Sequence, residues 1–114
     1  MTQARRSLGM MGEEAAAKWY IDQGYQILAR NWRCGDGELD LIARQGTTIV
    51  FCEVKTRSSY AFGSPFEAVT TAKQRRIRRL AMAWLNESNT RADDLRFDVA
   101  GVMDGEVEVI TAAF

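Results

Sequence analysis

The chain has 114 residues, with 15 Lys and Arg balancing 15 Asp and Glu, and it contains no histidine. That length fits one domain with a sizeable core. The absence of histidine excludes Ser-His-Asp, Cys-His and His-metal chemistry, and two cysteines without CxxC spacing speak against a structural zinc site, so acid–base work falls to carboxylates, lysine or metal-bound water.

In chain order, residues 1–7 are expected to fray. Arg5-Arg6 is followed by Gly12-Glu13-Glu14 where a signal peptide needs an apolar segment, and no apolar run reaches the length of a membrane span. A cytoplasmic protein with no membrane partner is expected. A helix should run from Leu8 to Gln23, capped by Gly24, with Glu13, Ala16, Ala17 and Tyr20 on one face. Tyr25 to Trp32 reads as a strand, and Arg33 to Gly37 as a loop. Glu38–Arg44 and Thr48–Lys55 then form a hairpin across Gly46-Thr47, a type II′ turn. Closure there pairs Gln45 with Thr48, Ile42 with Phe51, Asp40 with Glu53 and Glu38 with Lys55.

Thr56 to Gly63 reads as a polar loop. Ser64-Pro65-Phe66-Glu67 has the pattern of a helix start, and Thr71 with Gln74 forms a second capping pair. The main helix is expected over Ala72 to Asn86, burying Ile77, Leu80, Ala81, Trp84 and Leu85 and turning Arg75 and Arg79 outward. Leu95–Met103, a type I′ turn at Asp104-Gly105, and Glu106–Thr111 complete the chain. The order is αβββαββ, and the strand–helix–strand step makes two strands parallel. The fold class is α/β, a mixed sheet of about five strands flanked by two helices.

Period-two alternation places Glu38, Asp40, Glu53 and Lys55 on one hairpin face, and Leu39, Leu41, Cys52 and Val54 on the other. Like charges directly opposite one another destabilise a sheet, so Asp40 facing Glu53 calls for a cation between them. Carboxylates suit hard ions, and Mg²⁺ or Mn²⁺ is expected, with Lys55 beside it. The competing reading is a salt-bridge ladder relieved by Lys55 and Arg44. Ile42 and Phe51 share that face, which speaks for partial burial. Glu38 is open between a partner for Lys55 and a metal ligand. Asp98 is open between the same edge and a loop hydrogen bond. Lys73 to Arg79 is densely basic, which fits either a nucleic-acid surface or a solvated helix face. Trp19, Trp32 and Trp84 read as core, with Trp32 the one to test for stacking on nucleic acid.

This order, with Asp40 on one strand and Glu53-Val54-Lys55 on the next, resembles the PD-(D/E)XK nuclease superfamily, whose restriction-endonuclease-like core is αβββαβ. The departure is Leu39, where the superfamily pattern has proline. More closely, the chain resembles the YraN-like family of small bacterial proteins. The residues that carry this are Gly12-Glu13, Gly24-Tyr25, Arg30-Asn31, Gly37 to Ala43, Phe51 to Arg57, Phe62-Gly63, Lys73 and Arg96-Phe97-Asp98-Val99. It is similar also to archaeal Holliday-junction resolvases, which place a glutamate on the first helix; here the match is Glu13 rather than Glu14.

The resemblance implies Asp40, Glu53, the Val54 carbonyl and Glu13 as metal ligands, with Glu13 acting through water or on a second ion. It implies a catalytic Lys55, and Gln74 or Lys73 orienting water or phosphate. Arg33, Arg57, Lys73, Arg75, Arg76 and Arg79 are the expected nucleic-acid contacts. The leading reading is a Mg- or Mn-dependent endodeoxyribonuclease acting on structured DNA in repair or recombination. The alternatives are a non-cleaving nucleic-acid-binding domain and a protein-interaction domain with structural acids. The resemblance also allows a two-fold homodimer.

Overall fold

The computed structural model describes residues 3–57 and 65–114. Its elements are α1 (Gln3–Asp22), β1 (Gln26–Cys34), β2 (Gly37–Gln45), β3 (Thr48–Arg57), a 3₁₀ turn (Pro65–Ala68), α2 (Thr71–Ser88), β4 (Asp94–Met103) and β5 (Glu106–Ile110). The five strands form one sheet in the order β1-β2-β3-β4-β5. Only the β3–β4 pair is parallel, as the intervening helix requires. The expected order αβββαββ and the mixed sheet are both present.

Helix α1 begins at Gln3, earlier than the expected Leu8. It ends where Tyr25 N donates to Tyr20 O at 2.9 Å and Gly24 N to Ile21 O at 3.0 Å, the paired bonds of a left-handed helix stop. Strand β1 runs on to Cys34, so the expected loop at Arg33 shrinks to a tight turn. The cap of α2 is Thr70, whose hydroxyl accepts from Lys73 N at 3.3 Å, in place of the expected pair of Thr71 with Gln74. Thr56 and Arg57 belong to β3, and the rest of the expected loop, with the Ser64 cap, lies outside the described residues. The hairpin turn falls as expected, with Gly46 at φ 60 and Gln45 paired with Thr48.

Each helix covers one face of the sheet. On one side Ile77, Leu80, Ala81 and Trp84 of α2 pack on Ile42, Ile49, Phe51, Phe97 and Val99. On the other, Ala16, Ala17 and Tyr20 of α1 pack on Leu41, Ala43, Val50, Cys52 and Ala100. These are the stripes that helical periodicity marks in the sequence. Small alanines let α1 lie close, and at Gly12 the approach is closer still. A Cβ on Gly12 would overlap Thr56 Oγ1 and sit 3.0 Å from Thr56 Cβ. Only a glycine lets the helix backbone rest there.

Tyr20 also carries a polar anchor. Its hydroxyl donates to Asp98 Oδ2 at 2.6 Å, and Asp98 is 0% exposed. Arg96 donates to both Asp98 oxygens at 2.9 Å, and Ala112 N donates to Oδ1 at 2.9 Å. Asp98 is therefore a fully paired buried charge that ties α1, β4 and the C-terminal segment together. Burial, more than any neighbouring charge, holds the Tyr20 phenol protonated, far above its ordinary value.

Candidate metal and phosphate site in a sheet gap

The β2–β3 ladder runs from Gln45↔Thr48 to Leu41↔Cys52 and stops. The expected next rungs, Asp40↔Glu53 and Glu38↔Lys55, do not form. The strands part there because like-charged Asp40 and Glu53 would stand face to face. In place of a rung, Val54 N donates to Asp40 Oδ2 at 2.9 Å. In an extended strand the N–H and C=O of one residue point to the same neighbour. The Val54 carbonyl is thus also turned toward the gap.

The expectation that Glu38, Asp40, Glu53 and Lys55 share one face by strict alternation holds for Glu53 and Lys55 in β3 and fails in β2. Leu39 joins the α2 side of the core, whereas Leu41, two residues on, joins the α1 side. Strict alternation would put them together. The break in step lies between them, at the gap. Glu38 and Asp40 nevertheless line one cavity with Glu53, Lys55 and the α2 cations, and Glu13 reaches the acids from α1.

One carboxylate oxygen each from Glu13, Glu38 and Asp40 lies within 4.8 Å of the others. Glu53 stands beside Asp40, close enough for its charge to act on that carboxyl. Burial first, and then the Glu53 charge, push the Asp40 carboxyl up to about 8. Burial also raises Glu13, a shift opposed by the Asn31 side chain and increased by the charge of Glu38. Glu14, by contrast, is exposed and pairs with Arg30 at 3.0 Å.

A cavity of about 340 Å³ opens beside these acids, lined by Gly37, Glu38, Asp40, Glu53, Lys55, Lys73, Arg76 and Ile77. Lys55 Nζ stands 3.4 Å from Glu53 Oε1, so Lys55 pairs with its own strand neighbour and not with Glu38. Glu38 instead meets Arg33 at 3.1 Å across the β1–β2 pair. Lys73 reaches Lys55 from α2. Contact with Lys55 and then burial lower its pKa, while Glu53 opposes the shift.

The other expected residues are placed as follows. Gln74 is not at the cavity: its side chain donates to Val69 O at 3.3 Å and lines a separate cavity of about 140 Å³. Arg75 and Arg79 are exposed on the outer side of α2, and Arg33, also exposed, is held by Glu38. Arg57 is half-buried and donates to Thr56 O at 3.4 Å. Trp84 is core, edge-on to Phe51, and Trp32 packs partly buried on the α2 side. Sequence reasoning did not give Asn31 a place beside Glu13. Nor did it give Asp98 its role, although a lone aspartate amid LRFDVAGV is a signal of a buried charge.

Known proteins share this chain's sequence across the whole of the site. Residues 12–102 match the profile of "Uncharacterised protein family UPF0102". A UPF0102 protein of Beutenbergia cavernae is 53% identical over 100 residues, spanning 88% of this chain and 85% of that one. One of Nocardia farcinica is 54% identical over 99 residues, spanning 87% and 78%. One of Acidothermus cellulolyticus is 48% identical over 126 residues, spanning 97% and 96%. The profile takes in every residue named at the gap, from Glu13 to Arg76, and the chain belongs to the YraN-like UPF0102 family.

Proposed function

We propose that this protein is a divalent-metal-dependent nuclease of the PD-(D/E)XK superfamily, hydrolysing phosphodiesters of structured DNA. The observation that carries the reading is the convergence of Asp40, Glu53, Glu13 and Lys55 at the gap between β2 and β3.

The donor set fits Mg²⁺ or Mn²⁺. It is all oxygen, it offers several carboxylates within reach of one ion, and it is destabilised by its own like charge in the way a cation would relieve. Asp40, Glu13 and Glu38 would hold the ion, with Glu53 and the Val54 carbonyl completing the set. Such an ion supplies charge neutralisation and an acidified water to phosphodiester hydrolysis. The chain's own groups do the rest. Lys55, held beside Glu53, faces the cavity and stabilises negative charge developing on the phosphate. Lys73 and Arg76 line the α2 wall and bind phosphate oxygens there. Arg75 and Arg79 continue the positive surface outward. A two-fold pair of chains would present two such sites to two strands.

The test is a cleavage assay on branched, single-stranded and duplex DNA with Mg²⁺ or Mn²⁺, comparing wild type with Asp40→Asn. Wild-type cutting that is lost in the variant supports the reading. The exposed arginines of α2 favour a second reading, a domain that binds nucleic acid without cutting. Binding that weakens steeply with salt, with no cleavage on any substrate, selects it. Replacing Arg75 and Arg79 with alanine should then reduce the salt slope by about one for each phosphate that is no longer neutralised.

A further inference from the structure

Strand β1 falls out of step with itself next to the gap. Ala29, Trp32 and Cys34 all pack toward the α2 side of the sheet. Regular alternation would turn Ala29 and Trp32 to opposite faces. The extra step is taken at Asn31, whose φ is 52 inside the strand. Left-handed residues other than glycine are uncommon, asparagine is among the best tolerated there, and such outliers gather at functional sites.

This irregularity has a directional effect. Arg30 and Asn31 are adjacent in a strand, yet both reach α1. Arg30 donates to Glu14 at 3.0 Å, and the Asn31 side chain lies close enough to the Glu13 carboxylate to oppose the rise that burial gives its pKa. Asn31 lies between Arg30 and Trp32, which pair with Leu41 and Leu39, so it stands opposite Asp40 on β2. The step lost in β1 and the step lost in β2 therefore face each other, and the three-carboxylate group lies beside them. Glu13 enters that group on a flexible side chain and against the charges of Glu38 and Asp40. An amide donor fixed on the neighbouring strand offsets that repulsion and selects one orientation.

We propose that Asn31 is a positioning residue: its left-handed backbone aims the side-chain amide at Glu13 and holds that carboxylate in the set that binds one divalent cation. The inference rests on the metal-site reading above and adds a residue that this reading does not need.

The experiment is Mn²⁺ binding to the full chain, followed by the paramagnetic resonance signal of free Mn²⁺. It compares wild type, Asn31→Gly, Glu13→Gln and the double variant. Glycine adopts a positive φ readily, so Asn31→Gly removes the amide and keeps the backbone. The expected result is a rise in the dissociation constant on the order of tenfold in Asn31→Gly, as for loss of an outer-sphere partner of a ligand. Adding Asn31→Gly to Glu13→Gln should cost nothing further, because the two act as one unit. Unchanged affinity in Asn31→Gly, or the same loss with and without Glu13, overturns the role of Asn31 while leaving the metal site standing. A wild-type chain that binds no Mn²⁺ overturns the site and the positioning role together.

Discussion

Asp98 is fully buried and Asp40 partly buried in the same sheet, and they are treated in opposite ways. Asp98 receives Tyr20, two donors of Arg96 and the Ala112 amide. Asp40 receives one hydrogen bond from the main chain, at Val54, and is otherwise surrounded by Glu13, Glu38 and Glu53. A carboxylate with four donors is part of the scaffold. A carboxylate pressed against other carboxylates is a cost to the fold, retained where a ligand repays it.

The contrast can be broken most forcefully at Asp98. Asp98→Ala leaves Arg96 and Tyr20 without their partner, and we expect a loss of about 3–5 kcal/mol in urea unfolding, as for one half of a buried ion pair. Against a typical total of roughly 5–15 kcal/mol, that brings the domain close to unfolding.

Next in size is Gly12→Ala. A Cβ there meets Thr56, a branched side chain with little freedom to yield, so α1 must lift from β3. We expect a cost of about 1–3 kcal/mol, with Mn²⁺ affinity reduced because Glu13 moves with the helix. Equal Mn²⁺ affinity in a destabilised Gly12→Ala would show that Glu13 is dispensable to the site.

Asp40→Asn should act in the opposite sense to Asp98→Ala. It keeps an oxygen for the Val54 amide and removes an acid that folding must protonate among like charges. We expect a gain of about 1 kcal/mol without metal, together with loss of Mn²⁺ binding in calorimetry. Destabilisation of similar size to Asp98→Ala would erase the distinction between the two aspartates.

The last test sharpens the comparison through pH. The Asp40 carboxyl lies at about 8 in the fold against an ordinary 3.8, so folding takes up a proton between those values. Its contribution to stability is therefore complete below about pH 4 and is lost as pH rises toward 8. Metal-free wild type should lose stability along that range relative to Asp40→Asn, and saturating Mn²⁺ should reduce the difference at the upper end. Parallel pH profiles for the two chains would show that Asp40 is ionised throughout.

Much of the fold was legible in the sequence because its signals are local. The stripes of α1 and α2 follow from helical spacing, and Gly46 and Asp104-Gly105 announce their turns. The register from Gln45↔Thr48 to Leu41↔Cys52 then follows by counting. Counting fails at Asp40, because alternation assumes a regular pleat and the electrostatic cost of the next rung is what ends it. The same limit hid Asn31, whose left-handed backbone has no signature in a single asparagine. Gln74 misled because its spacing on α2 fits the buried stripe, whereas its amide satisfies a carbonyl at the helix entrance. Lys73, one residue earlier, faces the cavity instead.

The irregularity of β1 also governs how molecules of this protein can meet. β1 and β5 are the two edges of the sheet. An edge with a regular run of free amides and carbonyls is a template for a strand from another molecule. β1 is spoiled for that purpose by the register shift between Ile27 and Ala29, by the turned backbone of Asn31, and by the charges of Arg30 and Arg33. β5 carries Glu106 and Glu108 but has no break in step: its Val99↔Ile110 to Met103↔Glu106 register is continuous, and Ile110 is 40% exposed. Edge-to-edge association, whether a working assembly or the first step of aggregation, is therefore directed to the side of the sheet farthest from β1, and the mouth of the gap stays clear of it.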